Sequence, residues 1–416
     1  MSDLENVISA DVAIVGGGPV GLTLALALDQ AGVSVAVIDA APPKAGLDEH
    51  FDGRAFAIAF ANYRMWRALG LTGALDPVVQ PIREILVTDG RVGEGASPWR
   101  LHFDFDELGG EEALGYMVEH RHLRAALDAA VRARAGIRLI APMRVALFSH
   151  TQAHAEAILA DGRRVRCGLL VGADGRQSSV RAHMGAQTIG RDYASTAIVA
   201  TVRHEKPHQG VAHELFLPSG PFAILPLKGE RANIVWAEPH AAANTLLAMT
   251  PADFCSELSL RFGDFLGGVE LEGPRFSYPL SMKLAERMIG PRMALAGDSA
   301  HAIHPIAGQG LNLGLKDVAA LAECISDTLN LGLDAGDVTA LERYQRWRRF
   351  DNIAMANAMD GFDRLFSNDH ETLRRVRGVG LALVNSIGPA RRYFMRAAGG
   401  TAPGMPKLLR GVSLAA

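Results

Sequence analysis

Apolar positions near the start of the chain follow two different periods. An unbroken apolar run ends at Val15 in a glycine turn, which predicts a buried strand. Leucines then recur at alternate positions from Leu22 to Leu28, more densely than one amphipathic helix face requires, so this helix is expected to be buried against a sheet. A second short apolar run ends at Asp39. The pattern predicts a strand–helix–strand unit of roughly 30 residues.

The pattern changes along the rest of the chain. A helix is predicted from about His120 to Arg134, and the segment "RRVRCGLLVGADG" predicts a strand that ends in a glycine-rich turn. Between about Tyr193 and Tyr278, short alternating runs broken by Gly and Pro favour a mostly antiparallel sheet inserted in the first domain. The segment "RMALAGDSAH" indicates a return to a buried parallel strand, and from Leu311 onward the pattern is helical nearly to the end.

Composition narrows the class of protein. The chain has 416 residues, is 49% hydrophobic and carries a formal net charge of -3, which argues against nucleic acid as a partner. Its three cysteines, Cys167, Cys255 and Cys324, have neither disulfide-framework nor zinc-site spacing. No apolar run approaches ~18 residues and the first residues lack a basic signal segment. We therefore expect a cytoplasmic protein without a membrane-spanning helix.

A glycine motif follows the first predicted strand. Gly16 allows a tight turn, Gly18 lets the backbone approach a pyrophosphate, and Gly21 lets helix and strand pack closely. The helix N-terminus offers unpaired N–H groups and a positive dipole to phosphates. Asp39 follows Gly21 by eighteen residues, where a carboxylate can accept ribose hydroxyls. This motif predicts dinucleotide binding, but by itself it does not separate NAD from FAD.

The segment "GDSAHAIHPIAGQGLNLGLKD" makes that distinction. Its strand delivers the carboxylate of Asp298 at a strand end, and the residues from Pro305 through Gly308 to Gly310 form a turn that exposes backbone N–H groups. From Leu311 a helix N-terminus can stabilise negative charge, such as that on the N1–C2=O edge of a reduced flavin. A nicotinamide site would not require this arrangement.

The two histidines of the same segment suggest a metal pair. His301 and His304 would need a third ligand and a helical spacing, and Pro305 interrupts the helix. We therefore predict no metal site, and expect the histidines to bond backbone and to shape the turn.

The segment resembles the second flavin fingerprint of the class A aromatic hydroxylases, most closely the ubiquinone-biosynthesis branch (the UbiH, UbiF and UbiL type). The resemblance covers nearly the whole chain, because "DGRAFAI", "LGYMVEHRHLRAAL", "VGADGRQSSVR" and "LERYQRWRRFDN" also match. Two departures are small: Asp39 stands where these proteins usually carry Glu, and Ser299 where Ala is common. Asp is shorter than Glu, so the carboxylate of Asp39 reaches less far toward the ribose hydroxyls.

The resemblance implies a fold and its boundaries. It implies an α/β fold with a Rossmann-like FAD-binding domain, an inserted and mostly antiparallel substrate sheet, and a helical C-terminal segment. The predicted FAD-binding segments are 1–80, 111–185 and 281–350; the substrate segments are 81–110 and 186–280; the basic tail is 351–416.

The resemblance also implies roles for single residues. Asp298 would bond the ribityl hydroxyls, and the peptide N–H groups near Gly310, Leu311 and Asn312 would face the flavin pyrimidine edge. The alternative for Asp298 is a helix cap.

Three further polar residues follow from the resemblance. Arg54 and Arg121 would approach the FAD phosphates or the ribityl chain, the alternative being surface salt bridges. Asp174 would support FAD and the transient NAD(P)H, the alternative being a plain turn residue.

The implied reaction uses bound FAD with NAD(P)H and O2 as co-substrates. A flavin C4a-hydroperoxide would hydroxylate the aromatic ring of a polyprenylated phenol in ubiquinone biosynthesis. A hydroxylase of a small soluble aromatic compound, a non-catalytic flavoprotein and a plain NAD dehydrogenase remain alternatives. The sequence contains no second strand–GxGxxG–helix unit, so NAD(P)H is expected to dock briefly and leave.

An apolar cavity would hold such a substrate away from water. Candidate lining residues come from "ELFLPSGPFAILPL" and are Phe216, Phe222, Leu225 and Pro226, with an ordinary sheet core as the alternative. Tyr193 and Tyr278 are more typical of packing than of catalysis, so the sequence predicts no catalytic residue.

The tail after Glu371 contains no acidic residue. Its eight cations are Arg374, Arg375, Arg377, Arg391, Arg392, Arg396, Lys407 and Arg410. A basic, amphipathic tail suits the anionic inner face of a membrane, where a polyprenylated substrate resides. The alternative is a solvated or internally paired cationic face. Other ubiquinone-biosynthesis proteins are possible partners, and the oligomeric state stays open.

Overall fold

The computed structural model describes residues 6–43, 47, 53–93, 95–108, 113–302, 309–366 and 404–415, together with the single positions 385, 388, 395 and 399.

The strands, in chain order, are β1 (Val7–Val15), β2 (Val35–Ile38), β3 (Ala55–Ala59), β4 (Gln80–Ile82), β5 (Glu84–Arg91), β6 (Gly95–Asp104), β7 (Gly115–Glu119), β8 (Ile137–Ile140), β9 (Val145–His150), β10 (Ala155–Leu159), β11 (Arg164–Gly172), β12 (Thr188–His204), β13 (Val211–Leu217), β14 (Gly220–Leu227), β15 (Arg231–Pro239), β16 (Val269–Ala285), β17 (Ile289–Gly290), β18 (Met293–Leu295) and β19 (His301–Ala302). The helices are α1 (Pro19–Gln30), α2 (Phe60–Ala68), α3 (Thr72–Leu75), α4 (His120–Arg132), α5 (Ser179–His183), α6 (His240–Ala248), α7 (Pro251–Phe262), α8 (Gln309–Asn330) and α9 (Val338–Phe366).

The first sheet is built around parallel strands. Its order is β17-β18-β11-β1-β2-β8, and β9 and β10 extend it as an antiparallel ribbon beside β11. β1 pairs in parallel with both β2 and β11, so the predicted strand–helix–strand unit is confirmed. α1 is buried at every position from Gly21 to Leu28, which explains why its leucines are denser than one face requires. β18 joins β11 in parallel, also as predicted.

The second sheet has the order β19-β16-β12-β15-β14-β13-β5-β6. Its pairings are antiparallel except that of β13 with β5. Most of it comes from the stretch between Thr188 and Ala285, where the alternating sequence pattern predicted an inserted antiparallel sheet. The predicted α/β fold class is therefore confirmed.

The two faces of the second sheet have different surroundings. One face packs under α6 and α7, where Phe222, Trp236 and Phe254 belong to one buried cluster. We call the opposite face the inner face. It carries Ala212 and Leu225, which share a cluster with residues of the small third sheet, whose order is β3-β7-β4. The third sheet thus lies between the inner face and the first domain.

The last helices complete the first domain. α8 packs against α1 and α9. Residues 404–415 contain a 3₁₀ turn, Leu408–Arg410, and dock on the same domain, with Leu408 and Leu409 fully buried. Within the described part of the chain, no helix combines the length and apolar character needed to cross a membrane.

Candidate functional site

The glycine turn after β1 is shaped by backbone contacts. Gly16 has φ +109°, and a Cβ there would lie 2.2 Å from the Ala173 carbonyl oxygen. A Cβ on Gly21 would lie 1.9 Å from the Gly16 oxygen. A Cβ on Gly18 would meet nothing within 4 Å. Gly16 and Gly21 therefore serve the packing of the turn, whereas Gly18 borders open space.

That open space lies at the N-terminus of α1. Gly18 is the N-cap without a side-chain cap, Pro19 is the first helical residue, and the first turn contains no acidic residue. The N–H groups and the positive end of the helix dipole are thus available to an anion, as a pyrophosphate requires.

Asp39 lies beneath the same turn. Its Oδ2 accepts a hydrogen bond from the Gly17 N–H at 2.5 Å, and its Oδ1 accepts one from the Ala41 N–H at 2.7 Å. Each carboxylate oxygen has a further lone pair, so the ribose contact remains compatible with this geometry. The sequence did not indicate that Asp39 also fixes the glycine turn.

The second motif meets the first through small residues. A Cβ on Gly314 would lie 2.7 Å from Val20 Cγ2 and 3.1 Å from Gly297 Cα. Gly297 has φ +63°, and its N–H donates to Asp317 Oδ2 at 3.0 Å. The close approach of α8 to α1 brings the two glycine motifs together although they are far apart in the sequence.

Asn312 fastens α8 to the third sheet. Its Nδ2 donates to the Ala57 carbonyl at 2.8 Å, and its Oδ1 accepts from the Ala59 N–H at 2.8 Å and from Asn62 Nδ2 at 2.8 Å. The side chain is therefore engaged by protein, which leaves only its backbone N–H for the expected flavin contact.

The first turn of α8 provides that backbone. The helix begins at Gln309, so Gly310 and Leu311 lie in its first turn, which holds no acidic residue. A Cβ on Gly310 would meet nothing within 4 Å. Pro305 and Gly308 lie outside the described residues. The contact of these N–H groups with a flavin edge stays a prediction.

Asp298 sits in a 3₁₀ turn, Gly297–Ser299, at the end of β18. Its side chain is 42% exposed, and Oδ2 is 3.4 Å from Arg176 Nε. No side-chain hydrogen bond caps the turn, so the helix-cap alternative finds no support. The carboxylate is open to a polar ligand such as a ribityl chain.

Asp174 joins two turns of the first domain. Its Oδ2 accepts hydrogen bonds from the Ser179 N–H at 2.7 Å and from Ser179 Oγ at 2.8 Å. Its Oδ1 accepts one from Ser299 Oγ at 3.2 Å. These contacts favour the structural alternative, and any support of FAD by Asp174 would act through the turn that carries Asp298.

Arg54 and Arg121 lie at neighbouring ends of β3 and β7. Arg54 Nη2 is 3.0 Å from His120 Nδ1, and Arg121 Nε donates to Glu119 Oε2 at 2.8 Å. Glu119 is 6% exposed and its Oε1 also accepts from Arg231 Nη1 at 2.6 Å. The structure thus gathers the two predicted arginines in one corner and ties that corner to the second sheet.

A buried charge network supports the second motif, and sequence reasoning missed it. Asp317 Oδ2 lies 2.5 Å from His301 Nε2, and Oδ1 accepts from Arg348 Nε at 2.9 Å. Burial alone would raise the pKa of Asp317, but His301 and Arg348 hold it below its ordinary value. All three side chains are at most 3% exposed. The histidine therefore serves the network, while His304 lies outside the described residues.

In the described ranges, no group of three or more His, Cys, Asp or Glu side chains is arranged to hold a metal ion.

The candidate substrate residues separate onto two faces. Phe216 lies opposite Pro221 in the pairing of β13 with β14, and Leu225 lies opposite Asn233 of β15, whose Nδ2 reaches the Gly53 carbonyl of the first domain at 3.0 Å. Phe216 and Leu225 therefore belong to the inner face.

The prediction for Phe222 and Pro226 was wrong. Phe222 is fully buried and its ring contacts that of Trp236 edge to face at 5.7 Å, beneath α6 and α7. Pro226 is four residues along the same strand, so it shares that face. Neither side chain can line a cavity on the inner face.

Comparison with known proteins decides the family. A family model described as an FAD binding domain matches residues 9–357. The chain is 47% identical over 410 residues to ubiquinone hydroxylase UbiL of Rhodospirillum rubrum, with 97% of this chain and 94% of that protein covered. The chain belongs to this family of FAD-dependent hydroxylases. It is also 34% identical over 389 residues to the 3-demethoxyubiquinol 3-hydroxylase of Escherichia coli, with 93% and 97% covered.

Solved structures agree with the hydroxylase fold. The p-nitrophenol 4-monooxygenase PnpA of Pseudomonas putida superposes with a TM-score of 0.76 at 20% identity, covering 95% of this hydroxylase and 100% of that chain. PqsL of Pseudomonas aeruginosa gives 0.74 at 24% identity, covering 90% and 99%. The family relationship confirms the predicted enzyme class and cofactor: an FAD-dependent monooxygenase that uses NAD(P)H and O2.

Proposed function

We propose that this FAD-dependent hydroxylase adds a hydroxyl group to the aromatic ring of a polyprenylated phenol in ubiquinone biosynthesis. The names of two relatives, at 47% and 34% identity, support the reaction class. The structural observation that carries the substrate class is the inner face of the second sheet. There Leu225 clusters with Ala55 and Ala57 of β3, to which the flavin-motif helix α8 is fastened, and Phe216 lies on the same face.

The residues around the glycine motifs fit FAD. Open space borders Gly18 and Gly310, each at a helix start without acidic residues in its first turn. The α1 terminus would hold the pyrophosphate, Asp39 the ribose and Asp298 the ribityl hydroxyls. The first-turn N–H groups of α8 would stabilise negative charge on the flavin pyrimidine edge.

Bound FAD supplies hydride acceptance and oxygen activation; the protein orients the reactants and excludes water. The inner face would exclude water, because its apolar side chains offer water few hydrogen-bond partners near the ring to be hydroxylated. The described part of the chain shows one strand–GxGxxG–helix unit, which supports brief docking of NAD(P)H rather than a second resident dinucleotide.

The experiment compares two phenols with the purified FAD-loaded protein. NADH and O2 are supplied with 2-geranylphenol or with 4-hydroxybenzoate, and products are identified by mass spectrometry. Ring-hydroxylated geranylphenol supports the proposal. Hydroxylation of 4-hydroxybenzoate alone would support the small-aromatic alternative and remove the prenylated substrate.

We also propose that the basic tail places the enzyme on the inner face of the cytoplasmic membrane. Six of its eight cations lie outside the described residues. Lys407, a seventh, pairs with Asp327 at 3.2 Å, and its N–H donates to Glu323 Oε2 at 2.6 Å. The end of the tail therefore belongs to the first domain, and the lipid contact falls to the cations before it.

A truncation near Glu371 would test this poorly, because it would also remove the buried Leu408 and Leu409. The better variant replaces Arg374, Arg375 and Arg377 with Gln in the full chain. At about 1 kcal/mol per cation, binding to vesicles with anionic lipid should fall roughly 100-fold. Flotation unchanged by the replacement would refute the tail proposal and leave the hydroxylase proposal intact.

A further inference from the structure

Glu214 lies on the inner face of the second sheet. It lies on β13 opposite Ala223 of β14 and beside Val87 of β5. Its neighbours on the same face of the strand are Ala212 and Phe216. The side chain is only 8% exposed. Its carboxyl group thus lies beside the apolar side chains of Ala212, Phe216, Ala223 and Val87.

Glu214 differs from two other buried acids of the protein in its bonding partners. Glu119 bonds Arg121 and Arg231, and Asp317 bonds His301 and Arg348. Among the described residues Glu214 has no hydrogen-bond or ion-pair partner, and burial is the only influence on its pKa. Burial without a partner costs several kcal/mol in general, so such groups are uncommon unless they have a task.

The surroundings of Glu214 bring the pKa of its carboxyl group close to neutral pH. Burial raises the pKa of Glu214 to about 7, and no charged neighbour contributes to that shift. Of the two strands that pair with β13, β5 carries Asp89 and Arg91 on the same face as Glu214, with Asp89 opposite Phe216, and β14 carries no titratable group. A carboxyl with a pKa near the working pH is suited to accept a proton and to return it.

The position also connects Glu214 with the flavin motif. Ala212, two residues before it, clusters with Ala55 and Ala57 of β3. The carbonyl of Ala57 is bound by Asn312 in the first turn of α8. The inner face around Glu214 and the start of α8 therefore share β3 as a common wall.

We propose that Glu214 is a catalytic residue that binds the phenol hydroxyl of the substrate and takes up its proton during ring hydroxylation. This inference rests on the proposed function and names the acid–base group that the reaction uses. The prenyl chain would run along Phe216 and Leu225 on the same face.

The proton transfer balances without a further reactant. The phenol O–H bond breaks, its proton joins the Glu214 carboxylate, and the electron pair stays on oxygen, which enriches the ring at its ortho and para carbons. After the oxygen atom derived from O2 has bonded to such a carbon, that carbon loses its hydrogen to solvent as H⁺. Glu214 then returns its proton to the original phenol oxygen and is ready for another turnover.

The test uses the FAD-loaded full chain and the isosteric change Glu214→Gln. General acid–base groups contribute about 10²- to 10⁴-fold, so single-turnover hydroxylation of 2-geranylphenol should fall at least 100-fold. The FAD content and the rate of flavin reduction by NADH should stay within twofold. Glu230→Gln, an exposed carboxylate in the turn after β14, is the matched control and should hydroxylate at the wild-type rate.

Two readouts separate a catalytic role from a structural one. The wild-type hydroxylation rate should rise with pH through about 7, whereas the variant should rise only as the phenol itself ionises near pH 10. A ring-fluorinated 2-geranylphenol ionises at lower pH. The variant should therefore hydroxylate it at least tenfold faster than it hydroxylates 2-geranylphenol. Equal losses with both phenols, or an unchanged rate and pH profile, would overturn the inference. Failure of the wild type to hydroxylate 2-geranylphenol would instead overturn the proposed function.

Discussion

Asn312 Nδ2 donates a hydrogen bond to the Ala57 carbonyl at 2.8 Å, across a sequence separation of 255 residues. The contact joins the flavin-motif helix to the strand that borders the inner face of the second sheet. The amide side chain of Asn312 therefore fixes the start of α8 relative to β3.

Replacement of Asn312 by Ala tests this relationship. Ala57, Ala59 and Asn62 would lose their partner, and each buried polar group left unpaired costs about 1–3 kcal/mol. We expect the free energy of unfolding to fall by at least 2 kcal/mol in urea denaturation, with a lower FAD content. The control Asn330→Ala, at the exposed end of α8, should change neither. Wild-type stability in the Asn312 variant would show that the contact has no such role.

Two glycines of the first motif should behave differently. Gly18→Leu projects into open space at the start of α1, so the protein should fold normally and lose FAD affinity at least 100-fold. Gly21→Ala brings a Cβ to 1.9 Å from the Gly16 oxygen, so its loss should be one of folding. Fluorescence titration of the apoprotein with FAD and thermal melts distinguish the two effects. Tight FAD binding by the Gly18 variant would contradict the assignment of that space to pyrophosphate.

Replacement of Asp317 by Asn leaves Arg348 and His301 buried without their carboxylate. Removal of one partner from a buried ion pair costs about 3–5 kcal/mol, so thermal unfolding should occur well below the wild-type temperature. Because the pKa of Asp317 is lowered by folding, its contribution is present above the ordinary carboxyl range and is lost as pH falls through the folded value. The variant should lack this acid-dependent component. Glu342→Gln, exposed on α9, is the control, and equal stability of the two variants would refute the prediction.

Glu214 predicts the opposite pH dependence. Folding raises its pKa from 4.5 to about 7, so the folded state binds more protons than the unfolded state between those values. Its presence should therefore lower stability as pH rises from about 5 to 7, by roughly 3 kcal/mol in total. Glu214→Gln should be more stable than wild type at pH 8 and nearly equal at pH 4. Denaturant titrations at both pH values measure the difference, and parallel pH profiles would exclude a raised pKa.

Local patterns in the sequence predicted the first domain well. The strand–helix–strand unit follows from apolar periods and glycine spacing within some 30 residues, and both kinds of information are local. The inserted sheet was also predicted, because alternation with Gly and Pro breaks is a local signal. Its two faces were assigned wrongly for Phe222 and Pro226. Leu225 is an odd number of positions from Phe222, so one strand cannot place both on one face.

Contacts between distant segments could not be read in the same way. Arg348 lies in the segment "LERYQRWRRFDN", but the sequence indicated no role for it, because its partner Asp317 comes from another helix. Glu214 lies in the short run "AHELFLP", where it looks like the polar member of an alternating strand. Its burial cannot be read from that alternation, because it depends on what packs against the inner face. Sequence period indicates which residues share a face, and tertiary packing decides whether that face meets water or a ligand.

The most direct measurement is isotope labelling of one turnover with the FAD-loaded protein, NADH, ¹⁸O2 and 2-geranylphenol. The expected product is a hydroxylated ring that carries one ¹⁸O atom from the gas and none from water, with one NADH oxidised per product. NADH oxidation that yields only hydrogen peroxide and leaves the phenol unchanged would contradict it.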